Sequence, residues 1–187
     1  MHYAGIGSRV TPNDTCRLMS KLSARLERLG FILRSGGAVG ADTAFEQGVS
    51  DPGRMKIYRP YDEYGEEDLA LMAEHIERYH PKPWVLQGRR STRSDGSWSS
   101  ARRLMGRNTF QILGTAAEQR ARVPVSSFVI CWTQDGAELP RETGASTGGT
   151  GQAIRIAGDY GVPVFNLARE GAMERLTAEV LRLTGRA

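Results

Sequence analysis

The sequence contains little of what metal centres, disulfide frameworks and membrane spans require. It has two cysteines and three histidines among 187 residues. Cys16 and Cys131 lack the spacing of metal ligands, so we expect them to be small buried apolar side chains. The longest apolar runs are far shorter than the ~20 residues of a membrane helix. These scarcities predict a protein with no metal, no resident cofactor and no membrane attachment.

The length and composition favour one soluble domain that spans residues 1–187. Hydrophobic residues make up 40% of the chain and charged residues 25%, which is ordinary for a globular protein with a single core. The first residues, MHYAGIGSR, place glycines and an arginine where a secretory signal would be apolar. We therefore expect a cytoplasmic protein whose first strand lies at this end.

Strand-like and helix-like segments alternate along the chain. The runs HYAGIG, FILRS, MKIYRP, SSFVICW and VPVFNLA predict strands, with helical patterns between them. The first helix has Thr11 as its expected N-cap, Pro12 as its first residue, Asp14 as the capping-box partner and Gly30 at its end. Such alternation predicts a Rossmann-like, doubly wound, mainly parallel α/β sheet with helices on both faces.

The positive charge of the chain is concentrated in one segment. The formal net charge is +4, and residues 88–103 hold five arginines against a single aspartate. Serine, glycine and proline are frequent there, so residues 81–103 are expected to form a basic polar excursion. Three of its arginines and one tryptophan are candidates for binding single-stranded DNA: Arg89, Arg90, Arg93 and Trp98. The alternative is that the segment is only a flexible solvated loop.

Two glycine-rich segments, Ser35–Gly40 and Thr147–Gly151, are each expected between a strand and a helix. In doubly wound sheets such loops meet at the carboxyl edge, where ligands bind. Glycine lets backbone N–H groups approach a phosphate closely, and a helix N-terminus favours the anion. Neither segment precedes the lysine and hydroxyl residue of a P-loop, so ATP hydrolysis is not expected. The alternative is that the glycines only make tight turns.

Side chains near the same edge could complete a site for a phosphorylated ligand. Arg9 and Arg59 follow the first and third strands, and Arg107–Asn108 lies within a helical pattern. Arginine forms bidentate contacts with phosphate. Trp132 ends the fourth strand and could stack a base, or could belong to the edge of the core.

Three segments resemble the Rossmann-like module of the DNA-processing protein A family in the SLOG superfamily, which also includes the lonely guy phosphoribohydrolases. They are SGGAVGADTAFEQG, MGRNTFQILG and TGGTGQAIRIAGDYGVPVFNLA, and the resemblance covers most of residues 2–168. YAGIGSR and FVICWT are closer still to stand-alone members of phage and bacterial genomes, which are described as nucleotide-binding. The resemblance implies a nucleotide or nucleic-acid phosphate site at Gly7, Ser8, Arg9, Ser35, Gly36, Gly37, Gly40, Asp42, Arg107, Asn108, Gly148, Gly149, Thr150 and Gly151.

The resemblance leaves three functions open. The first is a binding protein or sensor for a small nucleotide, in a family whose members commonly form homodimers. The second is a nucleotide N-glycoside hydrolase, for which Asp42 or Glu46 could supply the acid; Asp135 and Glu142 are weaker candidates. The phosphoribohydrolases use a glutamate for N-glycosidic cleavage, and this chain has Ile154 and Arg155 in the corresponding neighbourhood. The absence of an acid there argues against hydrolysis by the same mechanism. The third is single-stranded DNA binding.

Overall fold

The computed structural model describes residues 1–80 and 98–185. Five parallel strands form one sheet in the order β3-β2-β1-β4-β5. The strands are β1 (His2–Gly5), β2 (Ile32–Ser35), β3 (Met55–Ile57), β4 (Val129–Cys131) and β5 (Val164–Asn166). The order reverses between β1 and β4, so the predicted doubly wound α/β fold is confirmed, with its crevice expected at that reversal.

Helices cover both faces of the sheet. They are α1 (Asn13–Arg28), α2 (Ala41–Gly48), α3 (Glu66–Tyr79), α4 (Ser100–Gly106), α5 (Asn108–Leu113), α6 (Ala116–Arg120), α7 (Thr150–Asp159) and α8 (Ala172–Thr184). Apolar residues of α1, α2 and α8 share one core cluster with the strands, and those of α3, α5 and α7 share another. The helical pattern that follows residue 100 is therefore divided among three short helices.

The strands divide their side chains between these two clusters by simple alternation. In β1, Tyr3 packs on the α1 side and Ala4 on the α5 side. Phe128 precedes β4, and its ring stacks on Tyr3 with the centroids 5.7 Å apart. Because both faces of a central parallel strand are covered, such strands are apolar throughout. None of the helices within the described ranges is long and apolar enough to cross a membrane.

The expected capping box of α1 is wrong. The Thr11 hydroxyl donates to the Ser8 carbonyl at 2.7 Å and so closes the turn after β1 instead of capping the helix. Pro12 occupies the N-cap position, and no side chain caps the helix there. Asp14 pairs with Arg17 on the exposed face of α1. The local pattern failed here because the turn uses the threonine hydroxyl for its own closure.

Most of the predicted basic excursion, residues 81–97 with Arg89, Arg90 and Arg93, lies outside the described residues. Its last residues begin α4, whose N-cap Ser99 accepts a hydrogen bond from the Arg102 backbone. Trp98 is half-buried, and the Arg102 guanidinium lies 3.7 Å from the centroid of its ring. This indole therefore packs against the guanidinium of Arg102 and against a small apolar cluster of the protein itself.

A buried arginine of the sheet forms an ion pair with a residue of α6. Arg34 of β2 is completely buried and donates to Glu118 at 3.2 Å. Glu118 also accepts from the Lys56 ammonium at 2.6 Å, from the Tyr58 hydroxyl at 2.8 Å and from the Thr115 backbone at 2.9 Å. Burial raises the pKa of Glu118, but these hydrogen bonds and charges outweigh it and lower the pKa to about 2. The carboxylate compensates the charge of Arg34.

Replacing this carboxylate should destabilise the whole domain. Glu118→Gln keeps the size but leaves the buried Arg34 charge without its counter-ion, so we expect a loss of about 3 kcal/mol in the free energy of unfolding. A carboxylate with a depressed pKa stabilises above the unfolded value of about 4.5, and this contribution disappears as the pH falls towards 2. Urea denaturation at pH 7 and pH 3 measures both effects.

Glu179→Gln is the control for this prediction, because Glu179 pairs with an arginine that is 67% exposed. Surface pairs contribute about 0–1 kcal/mol, so this variant should unfold almost like the wild type. Equal losses from the two substitutions would show that Arg34 does not depend on Glu118.

Candidate functional site

A cavity of about 330 Å³ opens at the carboxyl edge of the sheet, beside the reversal between β1 and β4. The turn after β1, the loop after β2 and the loop before α7 form three of its sides, and the α4–α5 junction forms the fourth. The two glycine-rich segments thus meet at one cavity. It is lined by Ile6, Gly7, Ser8, Arg9, Ala38, Asp42, Leu104, Met105, Arg107, Asn108, Gln111, Ser146, Thr147, Gly148, Gly149 and Thr150.

The first two loops are packed backbone against backbone. Gly40 has a φ of +95°, and a Cβ there would lie 2.6 Å from the Ser8 carbonyl oxygen. The Ala41 backbone donates to that same oxygen at 3.3 Å. Only glycine allows this conformation and this approach without strain. Gly40 therefore fixes the position of the turn after β1, although it does not itself line the cavity.

Gly36 accommodates a charged side chain of the protein. A Cβ at this position would overlap the Arg107 guanidinium. Arg107 comes from the α4–α5 junction, is 6% exposed, and reaches Asp42 with an Nη2–Oδ2 distance of 3.2 Å. Its Nε and Nη1 atoms are buried and make no hydrogen bond within the described residues. A buried arginine with two unused donor nitrogens therefore forms part of the cavity wall.

Asp42 is the counter-ion of this arginine. It lies in the first turn of α2, is 2% exposed, and accepts a hydrogen bond from the Ala38 backbone at 3.3 Å. Burial raises the pKa of Asp42 to about 6, although Arg107 and the Ala38 N–H oppose that rise. The ion pair is therefore mostly neutral overall at pH 7 and becomes positively charged as the pH falls through about 6.

The second glycine-rich loop leads into α7 and is tied to the α4–α5 junction. Asn108 donates to the Gly149 carbonyl at 3.0 Å, and Gln152 of α7 donates to the Met105 carbonyl at 3.1 Å. A Cβ on Gly149 would lie 2.6 Å from the end of the Met105 side chain. The N-terminus of α7, a helix of ten residues, therefore faces the cavity at a fixed distance from Arg107.

Asp135 stabilises this second loop through hydrogen bonds and does not line the cavity. Its carboxylate accepts from the hydroxyls of Thr133 at 2.8 Å, Ser146 at 2.9 Å and Thr147 at 2.6 Å. Burial opposes ionisation, but these hydrogen bonds outweigh it and lower the pKa of Asp135. Ser146 and Thr147 line the cavity, whereas Asp135 does not. This weaker acid candidate thus contacts the loop and not the cavity.

Other predicted site residues do not line the cavity. Glu46 accepts from the Gly37 backbone at 2.9 Å, and the exposed Arg59 side chain lies beside the same glycine. Trp132 is half-buried against the core cluster on the α1 side. Glu142 pairs with Arg169 on the exposed surface. The remaining predicted residues outside the lining are Ser35, Gly36, Gly37, Gly40 and Gly151.

The cavity also contains residues that sequence reasoning missed. Ser146, Thr147, Met105 and Gln111 line it. None of them was predicted as a site residue, although Met105 and Gln111 lie within MGRNTFQILG and Thr147 begins the second glycine-rich segment. The only available signal was their closeness in sequence to the arginine–asparagine pair and to the second glycine loop. Within the described ranges, no group of three or more histidine, cysteine, aspartate or glutamate side chains could hold a metal ion.

Comparisons with known proteins place the chain by its fold. No protein-family model and no curated protein matches the sequence. A solved structure of DNA processing protein A from Helicobacter pylori, determined to explain a single-stranded DNA binding mode, matches with a TM-score of 0.52. The two sequences are 16% identical over an alignment that covers 99% of this chain and 79% of that one. This protein therefore has the Rossmann-like fold of that structure.

A side chain at position 36 should dislodge Arg107. Gly36→Ala puts a methyl group where the guanidinium lies, so Asp42 is left buried without its counter-ion. We expect a loss of about 3 kcal/mol in unfolding free energy and a further rise in the pKa of Asp42. Chemical denaturation and the NMR titration of the Asp42 carboxyl measure the two effects.

Gly65→Ala is the control, because an added Cβ there meets no atom within 4 Å and its φ of −69° suits alanine. Gly65 is the N-cap of α3, where alanine is less favourable than glycine, so that variant should lose at most about 1 kcal/mol. An unchanged Asp42 titration in the Gly36→Ala protein would contradict the close packing of Arg107 on the backbone.

Proposed function

We propose that the cavity binds the phosphate group of a nucleotide. The observation that carries this proposal is the buried Arg107 side chain, which lines the cavity and whose Nε and Nη1 atoms make no hydrogen bond within residues 1–80 and 98–185. Buried donors are almost always paired, so such atoms call for a partner that the described residues do not supply. A phosphate offers several acceptor oxygens and matches the planar guanidinium.

The surrounding backbone supports the same ligand. The N-terminus of α7 and the Gly148–Gly149 turn face the cavity, where N–H groups and the helix dipole favour an anion. The dipole contributes about 0.3–2 kcal/mol, whereas micromolar affinity requires about 8 kcal/mol. Charged hydrogen bonds from Arg107, with the exposed Arg9 at the mouth, have to supply much of the difference.

The size of the cavity limits what it encloses. A volume of about 330 Å³ lies at the lower end of the range for small-molecule sites, which is roughly 300–1,000 Å³. One phosphorylated unit therefore fits inside, while a longer chain would have to continue over the surface.

Single-stranded DNA is a second candidate ligand. It is favoured by the similar fold of the Helicobacter pylori protein, whose structure was determined to explain single-stranded DNA binding. Arg9 at the cavity mouth and Arg59 on the neighbouring loop are both exposed and could contact further phosphates. One phosphate of a strand would then occupy the cavity, and the chemistry of Arg107 would be the same for both ligands.

Salt dependence distinguishes the two ligands. A thymidine oligonucleotide that contacts several phosphates should lose affinity steeply with salt, with a slope of roughly 0.7 per contacted phosphate. Binding of thymidine 5′-monophosphate should change much less. Arg59→Gln, which removes an exposed charge outside the cavity lining, should reduce the oligonucleotide slope by about one contact and leave the mononucleotide affinity nearly unchanged; fluorescence titration measures both.

Arg182→Gln is the matched control, since this exposed arginine lies in the last turn of α8, which runs back from the carboxyl edge.

The role of Arg107 is tested in an Asp42→Asn background, which avoids leaving a buried carboxylate unpaired. Adding Arg107→Gln to that variant should abolish phosphate binding, whereas Asp42→Asn alone should retain it. Retention of binding by the double variant, or no binding of either ligand by the wild type, would refute the proposal.

The affinity for a phosphodiester should increase as the pH falls. Asp42 has a pKa of about 6, and its protonation removes the negative charge that neutralises Arg107. A bound anion favours the protonated carboxyl, so binding takes up a proton and strengthens from pH 8 until it levels below about pH 6. A thymidine dinucleotide is the suitable probe, because its phosphodiester keeps one charge throughout. Asp42→Asn should make the affinity independent of pH in this interval.

A further inference from the structure

Gln111 is a polar residue in an apolar stretch of α5. Its neighbours Phe110, Ile112 and Leu113 are almost completely buried in the core, and Gln111 itself is 1% exposed. It lines the cavity one helical turn after Arg107. Its amide nitrogen and its amide oxygen are both buried, and neither makes a hydrogen bond within the described residues.

Such an arrangement costs stability that a leucine at the same position would not cost. An unpaired buried amide loses its contacts with water and gains none in return. Another buried glutamine differs from it: the Gln152 amide nitrogen of α7 donates to the Met105 carbonyl at 3.1 Å, only its amide oxygen is unpaired, and Gln152 does not line the cavity. The Gln152 side chain therefore joins two helices, whereas the Gln111 side chain makes no hydrogen bond to any described residue.

We propose that Gln111 binds the neutral part of the nucleotide and so distinguishes nucleotides from simple phosphates. This inference rests on the proposed function of the cavity. An amide offers one donating and one accepting group, so its full complement is a ligand group that does both. A sugar hydroxyl and the edge of a base have this property, whereas an ionised phosphate only accepts. Rotation about the terminal torsion of the side chain, which is broad, aims the amide at the ligand.

The experiment compares Gln111→Leu with the wild type for both stability and affinity. The variant should unfold at a higher temperature, because an unpaired amide is replaced by an apolar side chain of similar volume. Its affinity for the best-bound of the four common ribonucleoside monophosphates should fall about tenfold or more. Its affinity for inorganic phosphate should remain within twofold of the wild type. Calorimetric titration and thermal unfolding provide these measurements.

The control variant is Gln152→Leu, which removes an amide bonded to the protein. It should unfold at a lower temperature and should keep the ratio of nucleotide to phosphate affinity. A further arm with ribose 5-phosphate identifies the contacted group: loss of affinity for this compound in Gln111→Leu points to the sugar, and loss for the nucleotide alone points to the base. Either pattern supports the proposal.

Three results would overturn it. Gln111→Leu could be destabilised like Gln152→Leu with an unchanged affinity ratio, which would make the residue structural. The wild type could bind inorganic phosphate as tightly as every nucleotide, which would leave no neutral part to recognise while preserving the phosphate site. A wild type that binds neither phosphate nor nucleotide would refute the proposed function and this inference together.

Discussion

The packing of the Arg107 guanidinium on the backbone of Gly36 determines the geometry of the cavity. This one contact joins the loop after β2 to the α4–α5 junction, and the pairing with Asp42 extends it to the start of α2. Any side chain at position 36 would keep the arginine out. The absence of a side chain at position 36 therefore makes room for the Arg107 guanidinium. Under the proposed function, a bound phosphate would contact this guanidinium and not the glycine.

Much of the fold was predictable, because it follows from local periodicity and a general rule of topology. Five apolar runs separated by helical patterns predicted the five strands, and parallel connectivity places every strand-to-helix loop at one edge. The meeting of Ser8 with Gly148 and Gly149 around one cavity follows from that rule alone. Predicting that these loops meet required no knowledge of the side-chain contacts.

The details of the site were not predictable, because they depend on contacts between distant parts of the chain. Gly36 and Arg107 are far apart in sequence, and no local pattern indicates that one makes room for the other. Gln111 occurs in an apolar run and looks like an ordinary interior helix position. Thr11 has the sequence context of a helix cap, yet its hydroxyl closes the preceding turn. In this case one local hydrogen bond, to the Ser8 carbonyl three residues earlier, replaces another.

The buried ion pair neutralises the charge of Arg107 without occupying all of its hydrogen-bond donors. An isolated guanidinium at the 6% exposure of Arg107 would be strongly destabilising, so a counter-ion is required. Asp42 provides it through Nη2, and no other described residue accepts a hydrogen bond from Nε or Nη1 of the same group. Burial raises the pKa of Asp42 to about 6, so the carboxyl takes up a proton in mildly acidic solution. The pair thus compensates the buried charge at neutral pH, and under the proposed function the nitrogens that Asp42 does not engage would bind the phosphate.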